Sequence, residues 1–142
     1  MDYKKEIDFL NKVEKTDGQN DRIKLTDEEI NNIKNEHKNI PDDYLKYLQN
    51  IGFGSFRESQ FMIYKNLKTL FDIGIETEND EYNKLIFFGD NFSGDLSGFD
   101  LSGNVVEYWH DSDEIYETDK SFKEYIREQM LMDNNGNDLR KG

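Results

Sequence analysis

Ile40-Pro41-Asp42-Asp43-Tyr44-Leu45-Lys46-Tyr47-Leu48-Gln49-Asn50-Ile51-Gly52-Phe53-Gly54-Ser55-Phe56 is the stretch whose reading decides the fold. Proline fixes its own φ and lacks an N–H, so Pro41 suits the first turn of a helix. Asp42 and Asp43 then stand where the helix dipole favours negative charge. Tyr44, Leu45, Tyr47, Leu48 and Ile51 supply apolar side chains at helical spacing. Gly52 and Gly54 stop the helix and allow the backbone to turn sharply into an extended segment. The pattern is a proline-led helix with a buried aromatic face, a glycine turn, and a strand.

Upstream, the sequence is helical. Tyr3, Ile7, Leu10 and Val13 fall on one helical face, which Asp17-Gly18-Gln19-Asn20-Asp21 interrupts. Thr26 and Glu29 form a capping box, with Leu25 and Ile30 placed as a hydrophobic staple. Ile30, Ile33 and His37 make the next stripe, and Lys34, His37 and Lys38 sit at the dipole's favourable end.

Downstream, the period changes. Gln60 to Tyr64 and Lys84 to Phe88 are short aromatic and β-branched runs that read as strands. Asn66 to Phe71 reads as a short helix or turn, and Glu76 to Glu81 as an acidic loop. Gly98 to Leu101 and Val105 to Trp109 flank Ser102-Gly103-Asn104, a hairpin signal. Glu114-Ile115-Tyr116 suits a further short strand. Ser121 and Glu124 cap a closing helix that presents Phe122, Tyr125, Ile126 and Met130 to the core. Asp133 onward reads as a frayed tail. Helices, then consecutive strands, then a helix define an α+β class: N-terminal helices, a central antiparallel sheet from about Phe61 to Tyr116, and a C-terminal helix. Residues 1–132 are expected to form one domain and 133–142 a flexible tail. Tyr44, Leu48, Phe88, Phe99, Val106, Phe122 and Ile126 are the expected core.

Composition narrows the function classes. The chain of 142 residues has no cysteine, which removes disulfides and thiolate zinc sites and fits a reducing compartment. No signal-peptide core opens it and no stretch is long enough to span a bilayer, so the expected location is the cytoplasm. Thirty-one acidic against eighteen basic residues give a net charge of −13. Such a surface repels phosphate and so argues against binding nucleic acid or an anionic membrane. It attracts basic proteins and steers their approach, although acidity also serves solubility alone.

Several motifs, in order, carry a family resemblance. They are the Pro41 helix with its glycine turn, Phe88-Gly89-Asp90, the hairpin from Gly98-Phe99-Asp100-Leu101 to Val105-Val106-Glu107-Tyr108-Trp109, and Ser121-Phe122-Lys123-Glu124-Tyr125-Ile126. Together they resemble the SUKH superfamily of Smi/Knr-type domains over nearly the whole chain. Gly52 and Gly54 are separated by Phe53 where many members carry adjacent glycines. The resemblance implies a non-catalytic protein-binding module. In bacteria such proteins are largely immunity proteins (antitoxins) that neutralise the toxin domains, often nucleases, of polymorphic toxin systems. The alternative it implies is an intracellular scaffold or regulator, the role linked to fungal members.

A search for catalytic chemistry finds little. The two histidines are His37, on an amphipathic helix, and His110, which precedes Asp111-Ser112-Asp113-Glu114 and reads as a strand-end surface histidine with a preference for its charged form. No nucleophile elbow and no phosphate-binding glycine loop is present. The loop from Asp90 to Asp100 fails as a calcium site, because Phe92 holds the third position and Leu101 the twelfth. The expectation is no enzyme, no cofactor and no metal, with an enzyme or small-ligand binder using the sheet's concave face as the third alternative. The expected partner is a basic protein, a nuclease toxin domain, with no direct nucleic-acid contact. The candidate contact residues are Glu76, Glu78, Asp80, Glu81, Asp111, Asp113, Glu114 and Glu117, in two loops that the strand topology is expected to bring to one rim. Tyr108 and Trp109 point to opposite faces of a regular strand, so at most one of them faces a partner.

Overall fold

The computed structural model describes residues 3–17, 22–57 and 60–139. Three helices come first: α1 (Lys4–Asp17), α2 (Asp27–Glu36) and α3 (Asp42–Asn50). Thr26 and Glu29 close the capping box of α2 by exchanging hydrogen bonds with each other's backbone N–H. Pro41 occupies the N-cap of α3, one position outside the helix, in an extended conformation that hands the chain into Asp42. Tyr44, Leu45, Tyr47 and Leu48 are all buried.

The glycine turn works through both of its glycines. Gly52 has φ of 103° and Gly54 of 121°, a region that residues with a Cβ avoid. Gly52 also permits a close approach: a Cβ there would stand 2.4 Å from the Ile23 carbonyl oxygen. That proximity lets Ile23 and Phe53 exchange backbone hydrogen bonds of 3.0 Å.

Six strands follow: β1 (Gly54–Phe56), β2 (Phe61–Lys68), β3 (Ile86–Asp90), β4 (Leu96–Phe99), β5 (Val105–Trp109) and β6 (Glu114–Glu117). They form one antiparallel sheet in sequential order, so β1 and β6 are its edges. Two short helices, α4 (Leu70–Ile73) and α5 (Asp80–Asn83), lie between β2 and β3. α6 (Phe122–Met130) closes the fold, with Ser121 and Glu124 making its capping box. The sheet extends past the expected limits. β2 continues to Lys68, through part of the segment read as helix or turn, because a register irregularity between Ile63 and Lys68 leaves Lys65 and Asn66 exposed while pairing resumes. The acidic loop ends sooner than expected, since Asn79 caps α5 and turns Asp80 and Glu81 into its first turn.

Alternation along the strands builds two cores. On the helix side, Phe56, Phe61, Ile63, Phe88, Phe99 and Val105 meet α1, α3 and α6. Phe88 is the hub, with ring centroids 4.9 Å from Phe99 and 5.0 Å from Phe122. On the other face, Phe87, Leu96, Val106 and Tyr108 pack with Leu70 and Leu85 under the two short helices. All seven expected core residues are buried.

Charge is also buried, in pairs. Glu14 and Arg22 are bidentate at 2.7 Å, and Glu14 also accepts the Arg57 backbone N–H. The Arg57 guanidinium binds Asp138 at 2.8 and 2.9 Å and donates to the Met130 carbonyl. Of the segment 133–142 expected as a tail, residues 133–139 turn back onto the body, and residues 140–142 lie outside the described residues. Met132 and Asp138 form a bridge, and Leu139 N–H donates to Leu131. A buried guanidinium requires a carboxylate partner, and Asp138 supplies one.

Candidate functional site

The β5–β6 edge and the turns around it gather the features that distinguish this surface. β5 reads Val105-Val106-Glu107-Tyr108-Trp109, and alternation sends Val105, Glu107 and Trp109 to the helix side. Val105 is fully buried there. Glu107 is held by Tyr125 of α6, whose hydroxyl donates to Oε2 at 2.6 Å. Since that hydroxyl proton is committed, the buried Ser97 hydroxyl donates to Tyr125 in turn. Burial and the Glu107 carboxylate together push the Tyr125 phenol well above its usual range. The other Glu107 oxygen accepts from the Trp109 indole N–H at 3.1 Å.

Trp109 is thereby fixed, yet 41% exposed, and it stacks on Tyr116 of β6, itself 50% exposed, at 5.3 Å and 19° between planes. Tyr108, pointing the other way, is buried. Its hydroxyl donates to Asp113, and burial together with that carboxylate pushes the phenol up to about 12.

The opposite face of the same edge holds a cleft of about 710 Å³. Leu85, Val106 and Ile115 give it an apolar floor, and Glu81 and Glu117 stand at its margin with Asp100. The Asp100 carboxylate is occupied by Ser102 and Asn104 of the hairpin loop.

The eight candidate carboxylates do not share one rim, which corrects the expectation from topology. Glu81, following Asp80 at the start of α5, shares the cleft with Glu117. Glu76 and Glu78 border a separate groove of about 570 Å³ beside Phe71, which is 74% exposed. Asp111, Asp113 and Glu114 sit at the far end of the β5–β6 ladder, where Trp109 pairs with Glu114, whereas Glu117 pairs with Val106. The division follows from antiparallel geometry, which sends the α4–α5 connection and the β5–β6 turn to opposite ends of the strands. Trp109 and Tyr116 as a stack, and Phe71 as an exposed ring, are absent from that candidate set. Alternation in β5 carried a partial signal for Trp109. The outward position of Phe71 depends on how α4 docks.

At the far end, His110 lies between two carboxylates. Its Nδ1 is 2.7 Å from Asp95 and its Nε2 3.0 Å from Asp111. The hydrogen bond to Asp95 leads the causes that raise the His110 pKa above the usual imidazole value. Burial alone would raise Asp95, but the bonds from the His110 ring and backbone N–H and from Asn91 more than offset it, leaving the carboxyl lowered. The loop tested for calcium is spent on itself. Asp90 caps Phe92 and binds the Tyr64 hydroxyl, and Asn91 receives the N–H groups of Ser93 and Asp95. Among the described residues no group of three or more His, Cys, Asp or Glu side chains is placed to hold a metal ion. No helix among them is long and apolar enough to cross a membrane.

The family model for the SMI1 / KNR4 family (SUKH-1) matches residues 24–128, from the start of the α2 cap to the last turns of α6. The chain belongs to this family. Neither the curated proteins nor the solved structures contain a match. Membership in SUKH-1 supports a protein-binding role of the immunity or adaptor type, in a family whose members are typically non-catalytic binding domains and whose bacterial members generally partner with toxin domains.

Proposed function

We propose that this SUKH-1 protein is a non-catalytic cytoplasmic immunity protein that neutralises a basic nuclease toxin domain by covering its nucleic-acid groove. The observation that carries this reading is unspent negative charge. Glu76, Glu78, Asp80, Glu81, Glu114 and Glu117 are exposed, and none forms a salt bridge among the described residues, in a chain of net charge −13. A groove that binds phosphate is lined with cations, so an acidic cover competes for it directly. Inhibition by coverage needs neither cofactor nor metal. His110 supports the absence of catalysis, because both of its ring nitrogens face carboxylates on an exposed turn.

The test is co-expression with the product of the neighbouring gene, scored by rescue of growth and by co-purification. Binding kinetics should show an association rate that falls about tenfold or more between low and high salt, with the dissociation rate changing less. Stable binding to a non-nuclease partner, without rescue from any nuclease, would instead establish the scaffold role.

A further inference from the structure

β6 is an open edge. Thr118 N–H donates to the Val105 carbonyl at 3.2 Å, which makes 105 and 118 a hydrogen-bonded pair of the β5–β6 ladder. The ladder alternates, so Tyr116 opposite Glu107 and Glu114 opposite Trp109 also bond inward. Ile115 and Glu117 then direct their backbone N–H and C=O groups away from the sheet. No strand pairs with them among the described residues.

The two faces beside this edge differ in chemistry. Residues added opposite Ile115 and Glu117 would project over the acidic cleft, whose floor is Leu85, Val106 and Ile115. Residues opposite Glu114 and Tyr116 would project over the Trp109–Tyr116 stack. A lysine or arginine suits the cleft, because its aliphatic stem covers apolar floor while its head meets Glu81 and Glu117. An arginine or an apolar side chain suits the aromatic face. A second copy of β6 does not fit. Self-pairing through the outward groups must centre on Ile115, Tyr116 or Glu117, and it sets Glu117 opposite Asp113, Ile115 or Glu117 itself, so a carboxylate instead of a cation would lie over the acidic cleft.

We infer that β6 receives an extended, basic segment of the partner protein as a seventh strand, with alternate cationic side chains seated between Glu81 and Glu117. This rests on the protein-binding reading above and names the surface that carries it. The mode supplies affinity through main-chain hydrogen bonds and specificity through alternate side chains.

The probe is a seven-residue peptide alternating lysine and valine, with a glutamate-for-lysine control, added to the isotope-labelled protein. The lysine peptide is expected to shift the amide resonances of Ile115 and Glu117 and to slow their hydrogen exchange, while the control leaves them unchanged. Ile115→Pro deletes an outward N–H that the ladder does not use, and Ile115→Val, which trims the same side chain but keeps the N–H, sets the baseline for melting temperature and affinity; the proline variant should bind the peptide about tenfold or more weakly than the valine variant. Glu81→Lys combined with Glu117→Lys should weaken binding similarly without touching the edge backbone. Resonance shifts confined to other elements, or binding unchanged in both the proline and the double-lysine variants, would overturn the inference. A nuclease neutralised at full strength by the Ile115→Pro protein would remove the edge and leave the immunity reading standing. A peptide that docks on β6 of a protein that protects against no nuclease would do the reverse.

Discussion

Phe88 shows how much of the fold rests on single side chains. Its ring is fully buried and meets Tyr44, Phe61, Phe99, Phe122 and Tyr125, so it joins β2, β3 and β4 to α3 and α6. Phe88→Ala leaves a cavity among rings that cannot all collapse inward, and the expected cost is about 3–5 kcal/mol. Urea unfolding with an unchanged m-value is the measurement, and Phe88→Leu should lose a smaller part of the same quantity. His110 and Asp95 make a different residue-scale statement. The raised His110 pKa means its contribution is fully present below the ordinary imidazole value of 6.5 and is lost as pH rises through the folded value. The lowered Asp95 pKa means its contribution is present above 3.8 and is lost as pH falls through the folded value. The pair therefore ties the β3–β4 loop to the β5–β6 turn most firmly between those limits. An NMR titration should place His110 above the ordinary value, and Asp95→Asn should lower it, because the leading cause is the Asp95 hydrogen bond. No drop in that variant would show that another group holds the proton.

Helix ends were legible in the sequence because their partners are three residues away. Thr26 with Glu29 and Ser121 with Glu124 needed only local spacing, and both boxes form. Ser121→Ala should cost about 1 kcal/mol in unfolding free energy. Strand existence was also legible from aromatic and β-branched runs, whereas the length of β2 was not. A lysine and an asparagine inside a strand look like a turn until pairing with β3 shows that an irregular register carries them outward. The fold of residues 133–139 is hard to read from sequence for a related reason. Asn-Asn-Gly-Asn-Asp is loop composition, and only the position of Arg57, far away in sequence, gives Asp138 its partner. Asp138→Asn should destabilise by about 3–5 kcal/mol, since it leaves the Arg57 charge buried beside a neutral amide. Thermal or urea unfolding would reveal a mild effect if water reached the guanidinium instead.

At the scale of the whole molecule, the charge, the α+β order of elements and the family resemblance were readable from the chain. The grouping of the acidic residues was not, because sequence shows that two loops are acidic but not which end of the sheet each one occupies. Neutralising Glu81 and Glu117 together should slow capture of a basic partner more than neutralising Glu76 and Glu78, if the cleft is the contact. Stopped-flow association at low salt measures that difference, and equal effects would argue for diffuse steering by net charge alone. The sequential order β1 to β6 has a kinetic consequence as well. Every pairing in the sheet joins strands that are neighbours along the chain, and the β3–β4 and β4–β5 connections, residues 91–95 and 100–104, are short. The β2–β3 connection, residues 69–85, closes a longer loop at greater entropic cost. Folding should therefore nucleate at the β3–β4–β5 meander and zip outward, with β2 and the N-terminal helices docking afterwards. In a chevron analysis, Asp100→Ala, which removes the acceptor of the Ser102 and Asn104 N–H groups within the β4–β5 turn, should mainly slow refolding. A truncation in α1 such as Leu10→Ala should mainly hasten unfolding.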